Sequence, residues 1–591
     1  MRPSRLTRLE VIAGLISCLP CTTHARAQNP DTKTVAPPQY LVPLQLPADR
    51  ELFNPMSGLY TAVAQKQPGP RNPPCPTCAL DLNFQPLAPG YNDAAPLSGT
   101  PLNEYGRMSW HSLEPLEGQY DFSIIDNVLG PCPVPEGKVL CLPQGGRFGF
   151  RIMALNPQYK SATNVTKGRD GYPIYSDVPS YLEKDDDGKT HGWLLPVDPS
   201  DPTAGHYFVP DWNDPYFLDS LGALLSALGR KYDTDPRIGW IDIGLYGSWG
   251  EWHTGGLPDT LDYKGGAIPY KSSDSYFNIN TEAYQANTGS RGAYQIGTEA
   301  SKNSIVSAHL AAFPDRQLVM LTDDGDAVCT ALHANAKVPV GLRRDSLGAF
   351  VGWNYHFPLD PTSACTSEAD QALIANRWKT APFTVEPFGN GSSPTFPCQT
   401  FETDPATGLL AIHEQVRQFH LAAVKNGSFC VGSWEALTQS EQAAVLEAGL
   451  RSGYRYSPIA ILVEGFDRTP AGSSVSVQTR WANTGVTPAY DEWSVEFALW
   501  AIPDGSRAPG QCAARFMSRV DLRRILPTPS YLQDDIFALP PEMDAGRYEL
   551  RMRVVDPQGY LKPMQLALQS RDSDGYYPLG VVQIPGHSGA R

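Results

Sequence analysis

Along residues 52–452, short apolar runs alternate with stretches whose apolar residues recur at helical spacing. Eight runs read as strands: 58–64, 104–110, 148–154, 239–246, 317–322, 340–345, 382–386 and 428–434. Between the third and fourth, Asp214 to Lys231 carries Phe217, Leu218, Leu221, Leu224, Leu225 and Leu228 at helical intervals, which predicts an amphipathic helix. Residues 298–312 and 410–425 share that pattern, and Thr438-Gln439-Ser440-Glu441 is a capping box opening a last helix to about Leu450. Alternating strands and helices indicate a parallel α/β architecture, and eight strands in this length suit a (β/α)8 barrel. A doubly wound sheet is the alternative, but it ordinarily carries a Gly-rich nucleotide loop after its first strand, and none is present. Segments 65–100, 155–210 and 254–292, rich in Gly, Pro, Ser and Asp, read as insertions of the kind that wall an active-site cleft.

After Gly453 the period changes. Val475, Val477, Thr479 and Trp481 alternate with polar residues, as do Tyr548, Leu550, Met552 and Val554. Short alternating strands between Gly/Pro/Asp turns predict a β-sandwich over residues 453–591, following the barrel at 52–452. At the other end, Arg2, Arg5 and Arg8 precede an apolar stretch from Val11 to Leu19, and Ala25-Arg26-Ala27 is a small-x-small cleavage site. Residues 1–27 therefore read as a signal peptide and the polar, Pro-rich 28–51 as a linker. Leu15-Ile16-Ser17-Cys18 also resembles a lipoprotein box, so a lipid anchor at Cys18 is a second reading of the same segment. No later run of about 20 apolar residues predicts a membrane span. A secreted, periplasmic or extracellular protein is expected.

Composition narrows the partners. The 591 residues are 41% apolar, enough for a large core, and the formal charge is −15. Nucleic-acid binding, which needs a basic face, is disfavoured. Of eleven cysteines, nine lie beyond the signal segment. Cys75/Cys78 and Cys132/Cys141 are close enough to pair locally, and an oxidising compartment favours disulfides over metal binding. No metal or cofactor is expected. Asn164, Asn390 and Asn426 sit in Asn-x-Ser/Thr sequons.

The candidate chemistry rests on Glu251 and Glu386. Each follows a buried-strand pattern, Ile241-Asp242-Ile243 leading to Glu251, and Phe383-Thr384-Val385 leading to Glu386. A carboxylate at the C-terminal end of a barrel strand reads as catalytic rather than structural. Glycosidic bonds are cleaved by two such groups, one protonating the leaving oxygen and one attacking the anomeric carbon or activating water. On this reading Glu251 is the acid/base, with Trp249 and Trp252 lowering its local polarity, and Glu386 is the nucleophile, kept ionised by Arg343 or Arg344. Trp110, Trp252, Trp353 and Trp434 are candidates to stack on or line a sugar site. Asp323, Asp324 and Asp345 end strands and either hold hydroxyl groups or pair with Arg343 and Arg344. His111 and His253 are candidates to orient the carboxylates.

Several segments resemble the large clan of retaining (β/α)8 glycosidases that includes cellulases, mannanases and barrel β-galactosidases. Met108 to Phe122 resembles the stretch after the clan's second strand, and Trp212-Asn213-Asp214-Pro215 the entry to the helix before the fourth. Gly247 to His253 resembles the acid/base strand end, Glu386 the nucleophile, and Trp434 a tryptophan at the end of strand eight. Asn54-Pro55, Gly341 to Gly348 and the trailing sandwich resemble a secreted branch described only as a domain of unknown function. The clan's Asn before the acid/base is replaced here by Gly250. The resemblance implies a glycoside hydrolase acting on a poly- or oligosaccharide. The alternative is a non-catalytic glycan-binding or surface-assembly protein on the same scaffold. A serine hydrolase is disfavoured, because Tyr246 occupies the first Gly position of a nucleophile elbow.

Overall fold

The computed structural model describes residues 38–62, 95–99, 101–130, 142–157, 162–168, 171–185, 187, 189–197, 201–253, 297–348, 367–387, 410–427, 434–467, 470–503 and 512–585. Eight parallel strands close into a barrel: Gly58–Ala62, Asn103–Ser109, Arg147–Met153, Ile238–Ile243, Leu318–Leu321, Gly341–Leu347, Phe383–Pro387 and Ala423–Asn426. Seven of them overlap the apolar runs in the sequence. The eighth lies earlier than expected, inside the stretch read as a helix, which shrinks to Ile412–Gln418. The reason is chemical: Lys425 and Asn426 break the apolar run, yet both side chains are buried.

Successive residues of a strand face opposite sides of a sheet. The inward positions build two unlike layers. Tyr60, Tyr105 and Trp240 pave the floor with Met56, Val319, Ala422 and Ala423. Tyr105 lies parallel to Trp240 with ring centroids 6.0 Å apart, and Tyr60 meets both edge-on at 5.8 and 5.7 Å. Gly149 makes this floor possible, since a Cβ there would lie 2.2 Å from the Trp240 ring. The layer above is ionic and belongs to the site described below.

The helix before the fourth strand runs Pro215–Tyr232. Asp214 caps it, its carboxylate accepting from Tyr216 N, and Pro215 occupies the first turn, where no amide is needed. Phe217, Leu221, Leu224, Leu225 and Leu228 form its buried stripe. The last helix, Gln439–Arg451, has the expected capping box. Between the third strand and the Pro215–Tyr232 helix, a small sheet orders Asn164–Lys167, Pro173–Ser176, His206–Pro210 and Gly192–Pro196. Asp177 ties it to the barrel's upper rim: its carbonyl accepts from His111 N at 2.9 Å and its carboxylate from Asn156 N at 2.7 Å. Asn164 is buried, its amide donating to Val178 O, Ser180 Oγ and Glu183 Oε1, and Asn426 is locked to the backbone of Ala95. Neither sequon presents an amide to solvent. Asn390, Cys75, Cys78, Cys132 and Cys141 lie outside the described residues; Cys512 is a free thiol.

Two four-stranded antiparallel sheets follow the barrel and share one core. One contains Tyr456–Glu464, Ser474–Asn483 and Tyr531–Ala538, and the other Cys512–Met517, Ser494–Ala501, Gly546–Val555 and Tyr577–Ile584. The alternating residues Val475, Val477, Thr479 and Trp481 point inward. The first sheet's fourth strand is Gln39–Leu41, which pairs with Ile461 to Val463. Part of the expected linker is thus integral to the sandwich. The sandwich packs beneath the barrel floor: Arg147 Nη1 meets Asp491 at 2.6 Å, the Tyr560 hydroxyl donates to Gly146 O at 2.6 Å, and the Tyr454 hydroxyl donates to Pro55 O at 2.8 Å. These barrel residues stand at or before the N-terminal ends of their strands. Among the described residues, no helix is long and apolar enough to cross a membrane.

The floor gives a stability test. Gly149→Ala should force Trp240 from its stack and cost about 1–3 kcal/mol, the usual penalty of overpacking. The urea midpoint reads this, and an unchanged midpoint would refute the packing argument.

Candidate active site

Above the aromatic floor, the barrel interior is lined by charge. Arg107 and Arg151 come from strands two and three, Asp242 from strand four, Arg343 and Asp345 from strand six, Glu386 from strand seven and Lys425 from strand eight. Glu251 joins them from the loop after strand four. A barrel interior is ordinarily filled by branched aliphatic residues. Here four cations face four carboxylates, and each carboxylate is within salt-bridge distance of a cation.

Arg107 is the keystone. Its Nη1 lies 2.7 Å from Glu251 Oε1, and its Nη2 lies 2.7 Å from Glu386 Oε2 and 3.2 Å from Asp345 Oδ2. One planar guanidinium therefore holds both candidate catalytic carboxylates. Arg107 is also the member of this layer with the most exposed side chain, at 14%, whereas those of Arg151, Arg343, Lys425 and Asp242 are at 0%. The exposure gradient orients the layer, with Arg107, Glu251 and Glu386 toward the mouth and the rest below.

Among the described residues, Glu386 has three cationic neighbours. Oε2 accepts from Arg107 and, at 3.0 Å, from Arg343 Nη2, while Oε1 accepts from Lys425 Nζ at 2.8 Å. Burial works against its ionisation, but Arg107, Lys425 and Arg343 outweigh burial and the opposing Asp345, and hold its pKa at about 2 against an ordinary 4.5. Asp345 is likewise buried yet held well below the carboxylate range by Arg343, Arg151 and Arg107. Asp242 lies deeper. Burial raises its pKa despite Arg343 and Arg151, and Tyr105 donates to it at 2.6 Å.

Glu251 follows a tightly folded loop. Leu245, Gly247, Trp249, Gly250 and Trp252 all take left-handed backbone, with φ of 68°, 73°, 52°, 68° and 64°. For Leu and Trp this conformation is costly and persists only when the surroundings impose it. The surroundings do so. Leu245 N donates to Ile152 O, Trp249 N to Leu155 O, and the Trp252 indole to Ile243 O at 2.6 Å. Trp252 is 1% exposed and packs on Tyr246, so it is a core anchor and not a sugar platform. Arg107, Arg151 and His253 meet the Glu251 carboxylate, so its surroundings are charged as well as aromatic.

The other sequence candidates separate cleanly. Arg343 and Asp345 lie in the charged layer, paired at 2.7 Å. Arg344 faces the opposite side of the strand from Arg343 and meets Asp323 at 3.5 Å, so it does not neighbour Glu386. Burial raises the pKa of Asp323, with Arg344 opposing. His253 Nε2 lies 3.0 Å from Glu251 Oε2. Trp110 is fully buried, packs on Phe217 at 5.3 Å and donates to Glu114 at 2.7 Å; it too is core. His111 is anchored through its backbone to Asp177, and burial lowers its imidazole pKa. Trp434 is buried in the barrel's core cluster beyond the eighth strand's end, not at it. Trp353 lies outside the described residues.

No protein-family model matches the chain, and no curated protein matches it. Among solved structures, it is similar to endoglycoceramidase II from Rhodococcus sp. in its ganglioside GM3 complex, at 13% identity and a TM-score of 0.31, covering 84% of this chain and 99% of that one. It is also similar to the β-galactosidase of the psychrophilic Marinomonas ef1, at 11% identity and a TM-score of 0.26, over 59% of this chain and 55% of that one. A third is the cold-adapted β-galactosidase of Rahnella sp. R3, at 13% identity and a TM-score of 0.26, over 69% and 59%. Likeness at this distance assigns no role to any residue, and the site rests on its own geometry.

Arg107, Arg151, Asp242 and Lys425 were not singled out from the sequence. The available signal was a charged residue inside an otherwise apolar strand, as in Phe148-Gly149-Phe150-Arg151-Ile152 and Ala422-Ala423-Val424-Lys425. Such a residue is tolerated only with a partner inside the barrel.

The layer predicts an acid limb in stability. As pH falls, the unfolded chain protonates Glu386 near its ordinary 4.5, while the folded protein resists until about 2. Its contribution is therefore complete above about pH 4.5 and is lost as pH falls toward about 2. Urea midpoints from pH 5 to 2 should decline less steeply in Glu386→Gln than in the parent; parallel slopes would contradict the assignment.

Proposed function

We propose that the protein is an exported O-glycoside hydrolase acting on a poly- or oligosaccharide, with Glu251 as acid/base and Glu386 as nucleophile. The observation that supports this most is the single Arg107 guanidinium touching both carboxylates at the C-terminal mouth of a closed parallel barrel. The shared guanidinium favours the close spacing of retaining enzymes, about 5–5.5 Å, over the about 6.5–9.5 Å of inverting ones. In the first step Glu251 protonates the leaving oxygen while Glu386 attacks the anomeric carbon. In the second, water enters with Glu251 as base and Glu386 departs. The low pKa of Glu386 suits both halves of its role: it is ionised for attack and is a good leaving group. The sandwich, seated beneath the floor, serves as a base for the barrel on this reading, since its contacts lie at the end opposite the carboxylates.

A second reading, glycan binding without turnover, is favoured by one observation. Each carboxylate of the layer is already tied to cations, Glu386 to three of them. Hydrolysis and binding part company in a screen of the purified protein against poly- and oligosaccharides, read by reducing ends and by calorimetry. Glu251→Gln and Glu386→Asp should each lower turnover by at least about 100-fold, the lower range of general acid–base effects, while the far-ultraviolet circular dichroism stays that of the parent. Asp keeps the charge at 386, because removing one partner of a buried ion pair costs about 3–5 kcal/mol by itself. Binding heat with no new reducing ends would replace the hydrolase reading with the binding one.

A further inference from the structure

The two oxygens of Glu251 are held differently. Oε1 faces Arg107 Nη1 at 2.7 Å and Arg151 Nη2 at 3.2 Å, two guanidinium groups that keep their protons throughout the physiological range. Oε2 pairs with His253 Nε2 at 3.0 Å. An imidazole, unlike a guanidinium, can exchange a proton or change its tautomer.

We propose that Oε2 is the oxygen of Glu251 that carries the transferable proton, and that His253 is the positioning residue that aims it. This rests on the reading of Glu251 as acid/base. When the glycosidic C–O bond breaks, its electrons go to the departing hydroxyl oxygen, which takes the proton from Oε2. Glu386 forms the new bond to the anomeric carbon. The Glu251 carboxylate left behind meets three donors already in place, Arg107 and Arg151 on Oε1 and His253 Nε2–H on Oε2. Such preorganised donors stabilise charge where it develops. In the second half, Oε2 takes the proton of the attacking water, and the Glu386 bond breaks.

The backbone is built to hold this pair. Ser248 N donates to His253 O at 2.6 Å, closing the loop on itself. A Cβ at Gly247 would lie 2.3 Å from that same carbonyl, so the closure needs glycine there. Trp249 flanks the imidazole at 5.9 Å between ring centroids. Among the described residues, the charged groups around the pair include Arg107, Arg151 and Asp345 on the Glu251 side, and Asp323 with Arg344 on the His253 side.

Leaving-group dependence separates proton delivery from mere support of the fold. On the glycosyl unit that the polysaccharide screen identifies, His253→Phe should lower kcat/KM at least about 100-fold for an unactivated phenyl glycoside. It should change the 2,4-dinitrophenyl glycoside less than about 3-fold, because that leaving group needs no acid. His253→Gln, which restores an N–H donor, should recover part of the loss. An equal loss on both substrates, or no loss on either, overturns the proposal. If the parent cleaves no glycoside, the hydrolase reading fails by itself. The contact is then read by 15N-histidine NMR of the intact protein, where a His253 Nε2–H tautomer whose resonances move in Glu251→Gln sustains the pairing, and unmoved resonances overturn it.

Discussion

The upper half of the barrel is held by a set of buried ion pairs that close on one another. Taking a charge out of water costs several kcal/mol even after relaxation, and attraction offsets this only where geometry is good and every partner is present. Four different strands deliver Arg107, Arg151, Arg343 and Lys425 to Asp242, Glu251, Asp345 and Glu386, so that each charge has an opposite one beside it. The layer therefore depends on the barrel being closed. A slip of one residue in any strand would turn its charged side chain outward and strand the partners left behind.

That dependence accounts for what lies beneath and beside the layer. The stack of Tyr60, Tyr105 and Trp240 is a rigid, apolar floor, and Arg343 is fitted over the Tyr105 ring at 4.3 Å. Below the floor the sandwich grips the strand starts, so the elements that fix barrel geometry are separated from those that face the mouth. Beside the layer, the strained loop from Leu245 to Trp252 delivers Glu251 and His253 to one point. Its cost is met by two buried indoles, Trp212 and Trp252, that donate to the loop and to the strand before it.

Much of the scaffold was legible along the chain. Seven strands, the Pro215–Tyr232 helix with its Asp214 cap, the Thr438 capping box and the alternating sandwich strands follow from periodicity and cap chemistry. The eighth strand was not, because Lys425 and Asn426 carry the polarity of a surface segment while filling interior positions. The same disguise hid Arg107 and Arg151. Tryptophans misled in the opposite sense. Trp110 and Trp252 stand near strand ends, where a sugar platform is expected, yet each buries its ring and spends its N–H on an internal acceptor.

The chain by itself determined the barrel, the sandwich and the two glutamates worth weighing, since hydrophobic period and strand-end position are local properties. Only the tertiary structure decided that one arginine joins those glutamates, that Lys425 and Arg343 share Glu386, and that His253 meets Glu251 on a single oxygen. The physical reason is that an ion pair inside a barrel is a contact between strands distant in sequence. Its partners become neighbours only when the first strand and the last have met.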